Sequence, residues 1–176
     1  YNTTKGALEK LLMGANAIAS KEAGQALGEM LKTNTVLKEL DVSDNMRKMN
    51  GRIVGGDGLG FAKELAAGVS ANGALSSLNI ANNDFTQGAL LPNPRPGRRA
   101  SIGKEWGSQQ RHYKNDLSGV IALINGITNN GALETITFGD KKAVTMKTSM
   151  TETDFSSKEL GASGAIIVAA FLSKCQ

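Results

Sequence analysis

The fold is decided by Leu37-Lys38-Glu39-Leu40-Asp41-Val42-Ser43-Asp44-Asn45, a pattern that the chain repeats. The same L-x-x-L-x-V/I/M-x-x-N spacing runs from Leu8 to Asn16 and from Leu75 to Asn83. Alternating apolar residues point to one side of a short strand, and the asparagine that follows them predicts a turn. A helical stretch follows each copy. The sequence therefore predicts a repeated strand-plus-helix unit, which is typical of solenoids.

The stretches between the copies support the same register. Residues four positions apart lie on one face of a helix, and apolar pairs with this spacing occur at Leu27/Leu31, Leu65/Val69 and Leu123/Ile127. An asparagine follows each pair by three positions: Asn34, Asn72 and Asn130. Val168, Leu172 and Cys175 have the same spacing at the end of the chain. This predicts a last helix on the Val168/Leu172 face, and a fragment that stops one step before another strand.

Two further copies are less regular. The fourth reads Leu133-x-x-Ile136-x-Phe138, and a degenerate fifth, Met150-x-x-Thr153-x-Phe155, predicts one more strand. Lys141 and Lys158 stand where the asparagine belongs. The first two copies start 29 residues apart and the next two intervals are 38 and 58 residues, so we predict insertions at about 46–58 and 87–115.

The repeat with its full helix and a period near 29 residues resembles the ribonuclease-inhibitor class of leucine-rich repeat proteins. The resemblance covers roughly residues 6–176 outside the two insertions. It implies an α/β leucine-rich-repeat solenoid, with a curved parallel sheet and outer helices, in a single domain over 1–176. It further implies an intracellular protein-interaction scaffold. Separately, the lack of a standard catalytic constellation leads us to predict that the protein is not an enzyme.

The composition fits this class. One cysteine, Cys175, cannot form an internal disulfide, which favours a reducing, cytoplasmic location. The longest apolar run, 164–172, is too short to span a bilayer, so we expect no membrane insertion. Histidine and cysteine each occur once, and we therefore predict no metal site, no cofactor and no catalytic constellation.

The concave face of the predicted sheet is the first candidate binding surface. Alternate strand residues and the turn at the rim contribute polar side chains that are mostly acidic. The interpretation is an acidic cradle for a basic protein partner, and the alternative is an ordinary solvated sheet face. The candidate residues are Lys10, Glu39, Asp41, Asp44, Asn79, Thr135, Thr137, Glu152 and Asp154.

The second insertion is the other candidate surface. Residues 92–115 carry six basic side chains and one acidic one, a net charge of +5 in a chain whose total is +4. Aromatic and arginine side chains are common in binding hot spots and also stack on nucleic-acid bases. Protein binding, nucleic-acid binding and a loop pinned by its tryptophan all remain open. The candidates are Arg95, Arg98, Arg99, Trp106, Arg111, His112 and Tyr113.

Two narrower hypotheses concern single residues. Arg98-Arg99-Ala100-Ser101-Ile102 resembles a substrate motif of cyclic-AMP-dependent protein kinase, so Ser101 is a phosphorylation candidate. Ran GTPase-activating proteins share the repeat class and use a loop arginine. Arg52 or Arg47 in the first insertion is similar in placement, which makes GTPase activation an alternative function.

Overall fold

The computed structural model of the protein describes residues 7–49, 52–86 and 116–175. Strands and helices alternate along most of this part of the chain. Their order is β1 (Lys10–Leu12), α1 (Lys21–Thr33), β2 (Glu39–Asp41), β3 (Arg47–Met49), β4 (Arg52–Gly55), α2 (Gly58–Ala71), β5 (Ser77–Asn79), α3 (Ser118–Asn129), β6 (Thr135–Phe138), β7 (Val144–Lys147) and α4 (Gly161–Leu172).

Five of the strands form one sheet in the order β1-β2-β5-β6-β7. The first four are parallel and pair in the register of the repeat, with Leu11 beside Leu40, Leu40 beside Leu78, and Leu78 beside Ile136. Equivalent residues of successive copies therefore occupy equivalent places. This confirms an α/β fold with a mostly parallel sheet.

The fifth strand is not the one that the repeat predicts. β7 pairs antiparallel with β6, and Val144 lies beside Phe138. The predicted strand over Met150–Phe155 is wrong, because those residues form no regular secondary structure. The connection 139–143 is short, and a short connection can only reverse the chain, whereas parallel strands need a long crossover. Phe155 still packs edge-to-face on Phe138, with ring centroids 6.4 Å apart.

One apolar core joins the strands to the helices. Leu40, Leu78 and Ile136 of the sheet are fully buried, together with helix residues of all three predicted pairs. Leu65/Val69 and Leu123/Ile127 are buried completely, whereas Leu27 is partly exposed beside the buried Leu31. Each buried leucine or isoleucine contributes about 1.5–3 kcal/mol through the hydrophobic effect.

The last helix packs on a different face from the predicted one. Gly164, Ile167 and Phe171 are the buried residues of α4, while Val168 is partly buried and Leu172 is 52% exposed. The apolar pair is thus one residue earlier than predicted, and Lys174, not Cys175, follows it by three positions. The Lys174 ammonium donates a hydrogen bond to the Asn130 carbonyl oxygen. In the preceding unit the amide of Asn130 itself donates the equivalent bond to the Asn72 carbonyl.

Two sets of asparagines, one at the strand ends and one at the helix ends, form hydrogen bonds between neighbouring units. The strand-end asparagines are Asn16, Asn45 and Asn83, and the helix-end asparagines are Asn34, Asn72 and Asn130. Each helix-end asparagine terminates a helix and accepts two backbone N–H groups on its side-chain oxygen. The buried members of both sets donate their side-chain amide to carbonyls of the preceding unit.

The first insertion forms an antiparallel hairpin. β3 and β4 pair with Arg47 beside Gly55 and Met49 beside Arg52, with an irregularity after Arg47. Asp57 then begins α2, because its carboxylate accepts the Gly60 N–H at 2.8 Å. The hairpin follows the strand-end residue Asn45. It therefore extends from the edge of the sheet at which the parallel strands end.

Glycines set the distance between adjacent helices. A Cβ atom on Gly126 would lie 2.6 Å from the Ala66 carbonyl oxygen, and one on Gly24 would lie 2.5 Å from that of Phe61. Both contacts are with backbone, which cannot rotate away as a side chain can. Adjacent helices therefore approach closely only because these positions lack side chains.

We expect Gly126→Ala to destabilise the protein by about 1–3 kcal/mol, because the methyl group forces α3 away from α2. Gly131→Ala is the matched control, since a Cβ there meets nothing within 4 Å. The free energy of unfolding in urea measures both. Equal stability of the two variants would contradict the close helix contact.

Candidate functional site: the polar face of the sheet

Two rows of side chains cross the sheet on the face opposite the core. Residues paired across strands lie on the same face, so the register fixes each row. The first row is Lys10, Glu39, Ser77, Thr135 and Lys147, and the second is Leu12, Asp41, Asn79, Thr137 and Thr145. The structure therefore brings together six of the predicted residues: Lys10, Glu39, Asp41, Asn79, Thr135 and Thr137.

The charges of these rows are balanced. The Lys10 ammonium lies 2.9 Å from the Glu39 carboxylate, and just before the two strands Lys38 lies 3.0 Å from Glu9. These side chains are well exposed, so each pair contributes little to stability. Their main effect is to favour the register of β1 on β2. Lys147 adds a second basic residue to the rows, so the prediction of a mainly acidic face is not met there.

Asp41 and Asn79 are held in fixed orientations. One carboxylate oxygen of Asp41 accepts the Ser43 N–H at 2.8 Å, and the other accepts the Asn79 amide at 2.9 Å. The side-chain oxygen of Asn79 in turn accepts the Ala81 N–H at 3.2 Å. Short polar side chains stabilise the turn after a strand in this way. Hydrogen bonds within the protein thus fix the orientations of both side chains.

Uncharged hydroxyl groups fill the centre and the β7 side of the face. The hydroxyl oxygens of Thr137 and Thr145 lie 2.9 Å apart and share a hydrogen bond. Ser77 and Thr135 lie beside each other in the first row and are partly exposed. Such groups both donate and accept hydrogen bonds. The centre of the face is therefore polar but uncharged.

Three predicted face residues lie elsewhere. Glu152 and Asp154 are exposed in the irregular segment after β7, because the fifth predicted strand does not form. The Ser156 N–H donates to Asp154 at 2.8 Å, and this bond lowers the pKa of its carboxyl. Asp44 lies in the turn after β2, with a left-handed backbone (φ 54°), and not in the rows.

A pair of carboxyl groups lies at the edge where the strands end. Partial burial of its carboxyl raises the pKa of Asp140, and the nearby charge of Asp84 raises it further. Ser163 opposes this by donating a hydrogen bond at 3.2 Å. Asp140 as a residue is exposed, so the unfavourable environment is confined to its carboxyl end. Ionised Asp140 is therefore less stable in the folded protein than in the unfolded chain.

The sequence missed Thr145 and Lys147 of the two rows. A usable signal was present, since Val144-Thr145-Met146-Lys147 alternates apolar and polar residues as a half-buried strand does. Ser163, which contacts Asp140, gave no signal, because it is distant in sequence and one of several small residues in α4.

The remaining predicted residues are not part of this surface. Arg47 and Arg52 lie on the two strands of the hairpin. The candidates of the second insertion lie outside the described residues, namely Arg95, Arg98, Arg99, Ser101, Trp106, Arg111, His112 and Tyr113. Within the described ranges no three His, Cys, Asp or Glu side chains are grouped to hold a metal ion. No helix of the described part is long and apolar enough to cross a membrane.

We expect Asp140→Asn to stabilise the protein at neutral pH. The raised pKa means that the folded protein binds more protons than the unfolded chain between the two pKa values, so stability falls as the pH rises through that window. The gain in the free energy of unfolding should therefore vanish at about pH 3, which is below the ordinary pKa of an aspartate. Urea unfolding at both pH values measures it.

Asp154→Asn provides a control of opposite sign. The pKa of Asp154 is lowered by the Ser156 N–H, so its ionised form stabilises the folded state above the unfolded pKa, and this stability is lost as the pH falls through the folded pKa. The variant should be less stable at neutral pH only. If Asp140→Asn were no more stable than the natural protein at neutral pH, the pKa of Asp140 would not be raised.

No protein-family model matches the chain, and no curated protein matches it. The residues and their geometry are therefore the basis for a function.

Proposed function

We propose that the chain is a leucine-rich-repeat solenoid of the ribonuclease-inhibitor-like class and acts as a protein-interaction scaffold. The partner lies along the polar face of the sheet. The observation that carries this proposal is the in-register pair of rows, ten side chains across five strands. A scaffold of this kind contacts its partner over a long surface, without an enclosed catalytic pocket.

The chemistry of the rows indicates the kind of partner. Lys10 and Glu39 provide opposite charges near the β1 side, Lys147 is basic at the β7 side, and hydroxyl groups lie between. A partner of mixed charge with exposed hydrogen-bonding groups matches this pattern better than a uniformly basic one. The fixed side chains of Asp41 and Asn79 add specificity, because little rotamer entropy is lost when the partner binds them.

The cellular setting belongs to the same proposal. A single cysteine fits a reducing, cytoplasmic compartment. Partner binding through residues 92–115, nucleic-acid binding by the same segment and GTPase activation by Arg47 or Arg52 remain predictions from the sequence.

The test compares one substitution on two surfaces. Thr135→Arg places a long cation in the middle of the polar face, whereas Thr128→Arg places the same side chain on the exposed surface of α3. Partners are first recovered from source material on the immobilised protein and identified by mass spectrometry. The affinity of each purified partner is then measured by calorimetry.

We expect Thr135→Arg to weaken partner binding at least about tenfold, which corresponds to ~1.4 kcal/mol, and Thr128→Arg to leave it within about twofold. Thermal unfolding of both variants checks that the fold is intact. If the α3 variant lost as much affinity as the sheet variant, the partner would bind the helical side and the proposal would be wrong.

A further inference from the structure

Two of the buried helix-end asparagines are followed by glycine. The pairs are Asn72-Gly73 after α2 and Asn130-Gly131 after α3. In such a pair the backbone nitrogen of the glycine can attack the side-chain carbonyl carbon Cγ of the asparagine, because no glycine side chain crowds that nitrogen. A five-membered succinimide ring forms and ammonia leaves. The two pairs therefore have a chemical reactivity that is separate from the polar face.

This reaction needs only water as a co-reactant. A solvent base removes the proton from the glycine nitrogen, the N–Cγ bond forms, and the Cγ–Nδ2 bond breaks. Nδ2 takes up a proton from solvent and leaves as ammonia. Water then opens the ring at Cγ to give aspartate, or at the backbone carbonyl carbon to give isoaspartate. Nothing is oxidised or reduced, and either product has lost the side-chain amide donor.

The folded backbone keeps the reacting atoms apart. Ring closure needs the glycine nitrogen on the same side of the Cα–C bond as Cβ, which in an L-residue corresponds to a ψ of about −120°. The ψ angles of Asn72 and Asn130 are 124° and 111°. The rotation to the reactive angle would pull the following residues Leu75 and Leu133, which are at most 1% exposed, out of the core. The folded protein is therefore unreactive at both pairs.

Hydrogen bonds hold both ends of each side-chain amide. The oxygen of Asn72 accepts two backbone N–H groups at 2.9 and 2.7 Å, and its nitrogen donates to two carbonyls of the preceding unit, both at 2.7 Å. Asn130 has the same four bonds one unit later. The leaving nitrogen would have to break both bonds to the preceding unit. Asn72 and Asn130 are 3% and 1% exposed, so water has little access to protonate it.

Both barriers disappear when this part of the chain opens. The backbone of an open segment rotates freely about ψ, and its side-chain amides are hydrated. Local opening of a folded protein is a rare event whose frequency is set by the local stability. Ring closure at the two pairs should therefore follow the frequency of opening.

We propose that Asn72-Gly73 and Asn130-Gly131 are deamidation sites that the fold protects and that react when the chain opens. The change then prevents the native contact from forming again. Aspartate or isoaspartate at position 72 or 130 cannot donate to the carbonyls of the preceding unit, and isoaspartate also lengthens the backbone just before the next strand. Repeated opening thus limits the lifetime of the folded protein. This inference is independent of what binds the polar face.

The first measurement compares the protein in a mildly alkaline buffer with and without urea above the unfolding midpoint. Peptide mapping by mass spectrometry follows aspartate and isoaspartate at each asparagine. We expect conversion of Asn72 and Asn130 to be at least about tenfold faster in urea, because the folded protein is open only a small fraction of the time. Asn34 is the internal control. It ends α1 with a ψ of 121°, but Thr35 follows it, and this branched side chain crowds the attacking nitrogen.

The second measurement uses a double variant, Gly73→Ala with Gly131→Ala. A Cβ at either position meets nothing within 4 Å, and neither glycine has a positive φ, so the fold accepts both methyl groups while the nitrogens become crowded. Asn50-Gly51 and Asn125-Gly126 keep their glycines, so damage there is common to both proteins. After equal incubation in urea and refolding by dilution, we expect the urea midpoint to fall in the natural protein and to be kept in the double variant.

Three results would overturn the proposal. The first is equal conversion of Asn72 and Asn130 with and without urea, because the folded geometry would then give no protection. The second is conversion in urea that is no faster at these residues than at Asn34. The third is a natural protein that refolds with an unchanged midpoint after both residues have converted, because the lost amide donors would then not matter for the fold.

Discussion

Buried asparagine side chains are the constraint on which the rest of the structure depends. Asn45, Asn72, Asn83 and Asn130 are at most 3% exposed, and a buried amide group without a partner costs about 1–3 kcal/mol. Each of them therefore holds the preceding unit at one fixed distance through its amide. The strand register follows from this distance, and so does the need for glycine where adjacent helices approach. A leucine-only repeat would bury the same apolar area without fixing the spacing.

The repeat pattern predicted those parts of the fold in which local sequence and packing agree. Leu40, Leu78 and Ile136 alternate with polar residues, and a period of two assigns only one face to the core. The pattern failed in α4, where no residue from Gly161 to Leu172 is charged. A helix that is apolar on all sides does not select a buried face by itself. Tertiary contacts bury Ile167 and Phe171, so the buried pair lies one position earlier than the predicted pair.

The hairpin and the last strand show two other reasons for failure. Asn50-Gly51 between two short runs is a strong hairpin signal, yet the repeat spacing suggested only a longer loop. For the fifth strand, the spacing favoured Met150–Phe155 over the better alternation of Val144–Lys147. The spacing of the repeat predicts the next strand only where a helix separates the two strands. After β6 the helix is missing, and the length of the connection then decided the direction of the next strand.

Which residues form the candidate site depends on which strand lies beside β6. Face membership of Glu39, Asp41 and Thr137 follows from alternation, so the sequence could predict it. The balance of charge could not be predicted, because it depends on which strand lies beside β6. The antiparallel β7 brings Lys147 to the rows and leaves Asp154 outside them. A single reversal of chain direction thus changed a predicted acidic face into one of mixed charge.

The same reversal makes the two sides of the sheet unequal. The buried side-chain amides of the repeat donate towards the preceding unit, so the later unit of each pair supplies the donor and the earlier one supplies the carbonyls. On the β7 side Lys174 supplies the donor from within the chain, and the antiparallel strand ends the parallel pairing. On the β1 side the amide of Asn34 still lacks carbonyls in the described structure. Because each strand of the sheet contributes one column of two residues to the polar rows, the antiparallel strand β7 also ends these rows, with Lys147 and Thr145 as the last column.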